Sequence, residues 1–196
     1  VARSATRRSS RPRAAPGWRC CSRGRGISFT DADLIEWATS GEVYEDVDFS
    51  GARLNASVHT GTAFLRCTFR RSNLFDAAFV GCKLTGSVFE SAELRPLRVE
   101  GGDWSYVRLR RADLRGVSFH GVKLAEADLT DADLTGCDLR DADLSHATLR
   151  GARLSGADLR GARVVGVDLA ALDLRGARLD VAQAVQVAAG LGAVVE

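Results

Sequence analysis

The sequence has no methionine, only three prolines, three histidines and two tyrosines, and its arginines outnumber its lysines 25 to 2. No run of about 18 apolar residues exists, which excludes a transmembrane helix. No Cys-x-x-Cys spacing occurs among the five cysteines, so no metal-type ligand pair is offered. His59, His120 and His146 stand at no spacing that pairs a base with a nucleophile, which removes the usual starting point for an enzyme. The first 28 residues hold no acid and no apolar h-region, so they are not a secretory signal. What is present is a chain of 196 residues, 45% hydrophobic. That suffices to bury a core in one domain, or in one domain with a tail.

The net charge of +2 conceals a partition. Residues 1–28 carry eight arginines and no acid, giving +8, while residues 29–196 carry 19 bases and 25 acids, giving −6. The first segment lacks hydrophobic periodicity and is rich in Arg, Ser, Ala, Gly and Pro, the composition of a disordered tail. Three roles compete for it. It is a nucleic-acid-binding arm acting by counterion release, a transit peptide, or upstream sequence with no role. The missing Met favours the last, so direct nucleic-acid binding is expected only if the tail is native.

Beyond the tail, a period of five governs the chain. From Phe49 to Leu179, every position ending in 4 or 9 is a candidate centre, and 23 of these 27 are Leu or Phe. Only His59 is polar. Two residues before each centre stands a small residue, as at Ala52, Cys67, Cys82, Ala132, Cys137 and Ala157. Asp is common one residue before it, and Gly two residues after, giving the unit Ala-Asp-Leu-x-Gly. Five fits neither an α-helix nor a flat strand. It fits a chain that turns a corner after each short face, with the large and the small residue pointing inward. Glycine suits the corner because it tolerates positive φ.

If four faces close one coil, residues 20 apart must stack. Phe29, Phe49, Phe69 and Phe89 form one such column, and Leu34 through Leu174 another. The expectation is therefore an all-β, four-sided solenoid over 29–179. At roughly 4.8 Å per coil it is about 37 Å long, with open strand edges at each end.

The candidate chemistry is sparse. His59 occupies a core slot, and His120 and His146 lie on outward slots. Cys67, Cys82 and Cys137 act as small hydrophobes, a pattern suited to a reducing cytoplasm. No cofactor is implied. The acids concentrate at Asp113, Glu126, Asp128, Asp131, Asp133, Asp138, Asp141 and Asp143, and Arg140 is the one base between 126 and 143. Asp in the slot before a centre can hold the corner by bonding nearby backbone N–H groups. Glu126, Asp131 and Asp141 occupy the corner slot instead, so they are the better candidates for an outward acidic surface.

At the C-terminus the period changes. Asp180-Val-Ala-Gln183 has the form of a capping box. Residues 181–189 then form a short helix, ended near Gly190, with Val181, Ala184, Val185 and Ala188 on one face. Residues 180–196 thus cap the last coil.

These repeats resemble the pentapeptide repeat proteins over about residues 29–190. The match implies a right-handed quadrilateral β-helix with a short C-terminal α-helix. Within the family, HTGTAFLRCTF (His59 to Phe69), GSVF (Gly86 to Phe89), LRPL (Leu94 to Leu97) and DVAQAV (Asp180 to Val185) resemble the mycobacterial fluoroquinolone-resistance branch. The long basic tail and the Asp-rich middle depart from that pattern. The resemblance implies a cytoplasmic, non-enzymatic DNA mimic that binds DNA gyrase, with the acids of 113–143 on the enzyme's basic surface. It also implies a homodimer through the C-terminal face at Val181, Ala184, Val185 and Ala188. The competing class is an interaction solenoid with no topoisomerase partner. Magnitude limits the mimicry: about 37 Å of duplex carries about 22 charges, against −6 for the body, so the likeness is confined to a patch.

Overall fold

The computed structural model describes residues 24–25 and 27–195. Parallel pairing joins residues 20 apart along the whole rod, as in Asp48↔Thr68, Asp113↔Asp133 and Asp158↔Arg178. The four-face coil expected from the repeat is the observed one. Face I is centred on Phe49, Phe69, Phe89, Leu109 and Leu129, face II on Leu54 to Leu174, face III on His59 to Leu159, and face IV on Phe64 to Val164.

Regular strands occur mainly in the N-terminal half. Face III carries β2 (Ala38–Ser40), β4 (Val58–Thr60), β6 (Ala77–Val80) and β7 (Leu97–Glu100), in that order. Face IV carries β1 (Gly24–Arg25), β3 (Val43–Glu45) and β5 (Ala63–Leu65). Among the described residues the first paired position is Gly24, which pairs with Tyr44. Gly24 and Arg25 fall one coil before Tyr44 and Glu45 in the same column. The readings of residues 1–23 lie outside the described residues.

The core is the double row of inward slots. Phe49, Phe64, Leu74, Leu84, Leu109, Leu134 and Leu154 are buried completely or nearly so, and the small slots Ala52, Cys67, Cys82, Ala132 and Ala157 are equally closed. The phenylalanines of face I stack in register. Centroids are 5.2 Å apart for Phe29–Phe49, 4.9 Å for Phe49–Phe69 and 4.7 Å for Phe69–Phe89, with planes within 4° of parallel. The coil rise itself sets this spacing, and each such pair adds about 0.5–1.5 kcal/mol beyond its area burial.

The corners correct one expectation. Positive φ belongs to the corner slot rather than to glycine, since Asp31, Arg66, Tyr106, Glu126, Asp131, Asp141 and His146 all adopt it. At most corners the residue after the αL position donates its N–H back to the preceding centre, as from Ala132 to Leu129 at 3.0 Å. That is the bond and the φ sign of a type II turn. Pro96 takes one corner through a cis peptide bond with Arg95. After Leu169 the corner becomes a 3₁₀ turn, Leu169–Ala171, where Leu172 fills the slot that most coils give to a small residue.

Helix α1 (Val181–Gly190) follows with the expected capping box: Asp180 accepts from the Gln183 N–H, and the Gln183 side chain accepts from the Asp180 N–H. It closes the rod through polar anchors. Gln183 donates to the carbonyls of Leu159 at 2.6 Å and Ala162 at 2.9 Å, and Gln186 donates to that of Val167 at 3.0 Å. Gly190 passes so close to the 3₁₀ turn that a Cβ there would lie 2.8 Å from Cβ of Ala170.

Candidate functional site

The acids that the sequence brings forward do not gather on one side of the rod. Asp128 lies on face I, Asp113 and Asp133 on face II, Asp138 on face III and Asp143 on face IV. Glu126, Asp131 and Asp141 sit at the IV/I, I/II and III/IV corners. From 126 to 143 they form a belt around one coil, because 18 residues of a 20-residue coil visit every face. One group of three does share a side: Glu126, Asp128 and Asp131 span face I from corner to corner. Asp113 and Asp133 are stacked neighbours just past the I/II corner.

The slot before the centre does turn work in every case. Asp128, Asp133, Asp138 and Asp143 each accept the N–H two residues on, at 3.1, 3.1, 3.2 and 3.0 Å. This is an Asx turn, which closes locally what the corner would otherwise leave to water. The corner acids carry no such duty. Asp131 and Asp141 lie against the corner glycine of the next coil, so that a Cβ at Gly151 would come 2.3 Å from Oδ1 of Asp131. Glu126 accepts from the Tyr106 hydroxyl at 2.8 Å, and Asp141 faces Nε2 of His120 at 3.2 Å.

Arginine tempers this acidity. Arg115 grips Asp113 at 2.7 Å and Arg140 grips Asp138 at 2.7 Å, each with two nitrogens on two oxygens. Arg160 on Asp158 and Arg175 on Asp173 repeat the geometry. These forks pull carboxylate pKa values down: Asp158, held by Arg160, falls to about 2, and Asp113, held by Arg115, falls further. Asp138 moves the same way through Arg140, and Asp143 also falls, beside Ser145, whose backbone N–H it accepts at 3.0 Å. At Asp133 burial pushes upward, but the two Thr135 hydrogen bonds and Arg153 at 2.7 Å outweigh it, so its pKa also falls. The pairing signal is present in the sequence as the tripeptide Asp-Leu-Arg at 113, 138, 158 and 173. A charge count by segment overlooks it.

The other candidates fall where the slots place them. His59 is buried, donates or accepts through Nδ1 to Thr39 at 2.7 Å and through Nε2 to Ser57 at 3.1 Å, and burial lowers its pKa to about 3. It is a neutral core residue. Burial raises the thiols of Cys67 and Cys137 to about 12 and that of Cys82 upward, so none is a nucleophile near neutrality. Val181 is 81% and Val185 40% exposed. Ala184 is exposed and Ala188 half-buried, so the apolar stripe of α1 points away from the coil it caps.

Two family models match the chain. One described as pentapeptide repeats covers residues 127–164 in eight copies, and one described as a pentapeptide repeat region covers residues 52–129. The chain is 46% identical over 72 residues to the pentapeptide repeat protein MfpA of Mycobacterium tuberculosis, 37% of this chain and 39% of that protein. It is 46% identical over 50 residues to MfpA of Mycolicibacterium smegmatis, 26% of each. The matched stretch thus spans about two fifths or less of each curated relative. Among solved structures, a trypsin-treated variant of QnrB1, a plasmid-mediated fluoroquinolone resistance protein, superposes with a TM-score of 0.70 over 89% of this chain and 97% of that one, at 23% identity. The last match concerns the fold.

Proposed function

The chain belongs to the pentapeptide repeat proteins, and on that premise we propose that it binds DNA gyrase without catalysing a reaction, inhibiting or shielding the enzyme and so lowering fluoroquinolone susceptibility. The observation that supports this best is the acidic rung on face I. One coil rises roughly 4.8 Å, a length of duplex that carries about three phosphates. Face I of one coil presents three carboxylates, Glu126, Asp128 and Asp131, and two of them sit on corners without a turn role. Asp113 and Asp133 extend the acidic surface round the I/II corner. Asp138, Asp141 and Asp143 face the other way, so one basic surface meets only part of the belt. The next rung toward the N-terminus is basic, at Arg108, Arg110 and Arg111, which confines the likeness to DNA to a local patch.

Helix α1 supplies the second half of the proposal. Val181, Ala184, Val185 and Ala188 turn an apolar stripe away from the rod, beside exposed Leu191 and Val194. Joining two rods through these stripes buries them and doubles the length. Such a dimer acts in the cytoplasm, where gyrase and its DNA are found.

Binding to immobilised gyrase in the presence and absence of a linear duplex tests the reading. The expected result is binding that the duplex competes away. Binding unaffected by saturating duplex contradicts mimicry, and no binding contradicts the partner.

A further inference from the structure

We propose that the arginine-lined groove on face I is a binding site for a multivalent phosphate-bearing anion. The inference does not rest on the gyrase reading. It begins from a contrast between rungs where arginine is paired on its own face and rungs where it is not. At four rungs of faces II and III the outward slots carry Asp and Arg flanking the centre, and the guanidinium forks onto that carboxylate at 2.5–2.7 Å. On face I the same slots read Thr68 and Arg70, Val88 and Glu90, Arg108 and Arg110. The acid before the centre is missing from three successive coils.

The arginines there find only partial substitutes. Arg70 borrows Glu90 from the next coil at 2.8 Å. Arg110 and Arg111 reach Asp128 and Asp131 at 3.7 and 3.8 Å, the edge of ion-pair range. Arg108 has no ion pair among the described residues. The undescribed N-terminal segment cannot supply the missing acids, because residues 1–23 contain none.

These side chains line an open cavity of about 690 Å³, within the size range of small-ligand sites. Arg70, Arg108, Arg110 and Arg111 against Glu90 leave its rim net positive. A lone carboxylate fills one guanidinium fork, as the Asp-Leu-Arg pairs show. Arg108, Arg110 and Arg111 together offer more planar donors than one carboxylate accepts, and a phosphate with several non-bridging oxygens matches them better. Among the described residues no aromatic ring lines the cavity, and the donors there suit phosphates rather than a base.

The test is a titration of the full chain with pyrophosphate and with a labelled 12-nucleotide single strand. The triple variant Arg108→Gln, Arg110→Gln, Arg111→Gln is compared with the charge-matched Arg140→Gln, Arg160→Gln, Arg175→Gln. That comparison cancels the tail's non-specific attraction. The groove variant should lose about tenfold or more in affinity, and its salt slope for the strand should fall by about 2, three contacts at about 0.7 each. The control should change little. Asp131→Asn, which releases Arg111, should tighten binding, whereas Asp158→Asn should not. Pyrophosphate binding as tight as the strand marks a free polyphosphate as the ligand, and much tighter strand binding marks a nucleic-acid backbone. Equal losses in the two triple variants, no binding of either probe, or binding of oligoglutamate in their place would overturn the proposal.

Discussion

The side-chain amide of Gln183 donates to the carbonyl oxygen of Ala162 at 2.9 Å. Along the regular coils that acceptor is repeatedly filled by a backbone N–H 21 residues on, as Arg163 fills Ala142 and Arg178 fills Ala157. The backbone N–H at that offset from Ala162 belongs to Gln183 itself. The chain has left the coil and turned into a helix, yet the same residue completes the ladder through its side chain. Asp180 does likewise, accepting the Gly161 N–H at 3.0 Å through Oδ2. An open solenoid edge is thus closed without a further strand.

Gln183→Ala removes the side-chain half of the capping box and the two amide N–H donors to buried carbonyls. The expected cost is about 1–3 kcal/mol for the unsatisfied groups, read from urea unfolding. Gln183→Glu should cost at least as much, since it places acceptors against acceptors. A change within error in both would mean that water replaces the amide freely.

Gly102 stands in an inward small slot between two large centres, Val99 and Trp104. Its φ is +100°, and a Cβ there would lie 2.2 Å from the backbone carbonyl oxygen of Cys82. Backbone cannot move aside as a flexible side chain does. Gly102→Ala should therefore destabilise by more than about 3 kcal/mol or prevent folding. Gly116→Ala, at a corner where nothing stands within 4 Å of the added atom, should cost only the αL penalty of about 1–2 kcal/mol. Paired thermal melts distinguish the two.

The Asp-Leu-Arg forks make acid stability a measurable property. Carboxylates whose folded pKa lies below the unfolded value stabilise the rod at every pH above about 4 and lose that contribution as pH falls through the folded value. For Asp158 that value is about 2. The melting temperature should decline from about pH 6.5 downward as His59 takes up a proton in the unfolded chain, and more steeply between about pH 4 and 2 as the carboxylates protonate. Asp158→Asn should flatten part of that fall. His59 acts over a wider window: burial lowers its folded pKa to about 3, so its contribution is full above the unfolded value near 6.5 and is lost progressively as pH falls from there.

Val181→Glu with Val185→Glu places charges on the exposed stripe of α1 while leaving Gln183 and Gln186 in place. Sedimentation at micromolar concentration should show a dimer for the parent chain and a monomer for the variant, with equal helix content. A monomeric parent would remove the end-to-end assembly.

Much of the fold is legible because the period is strict. His59 in a Leu slot, the 20-residue stack and the Asp180–Gln183 box follow from position alone. The pairing of Gly24 and Arg25 is hidden because that rung is Gly-Arg, with no apolar centre to mark it. The 3₁₀ turn is hidden because Leu174 keeps the frame while Leu172 alters the corner. For the acids, sequence proximity is the wrong measure: neighbours in the chain lie on different faces, whereas Asp113 and Asp133, 20 apart, are bridged partners. Applying the 20-residue rule to charges as well as to the core recovers the grouping of Glu126, Asp128 and Asp131.

The central claim is that an acidic rung of this rod occupies gyrase in place of DNA. Its most direct test is supercoiling of relaxed plasmid by purified gyrase, titrated with the parent chain and two neutralised variants. Asn and Gln serve better than Lys, because Asn keeps the turn acceptor at position 128 and tolerates the αL corner at 131. The account predicts inhibition by the parent, at least about tenfold weaker inhibition by Glu126→Gln, Asp128→Asn, Asp131→Asn, and near-parent inhibition by Asp138→Asn, Asp141→Asn, Asp143→Asn. Full inhibition by the folded first variant, or no effect of the parent on gyrase, would contradict it.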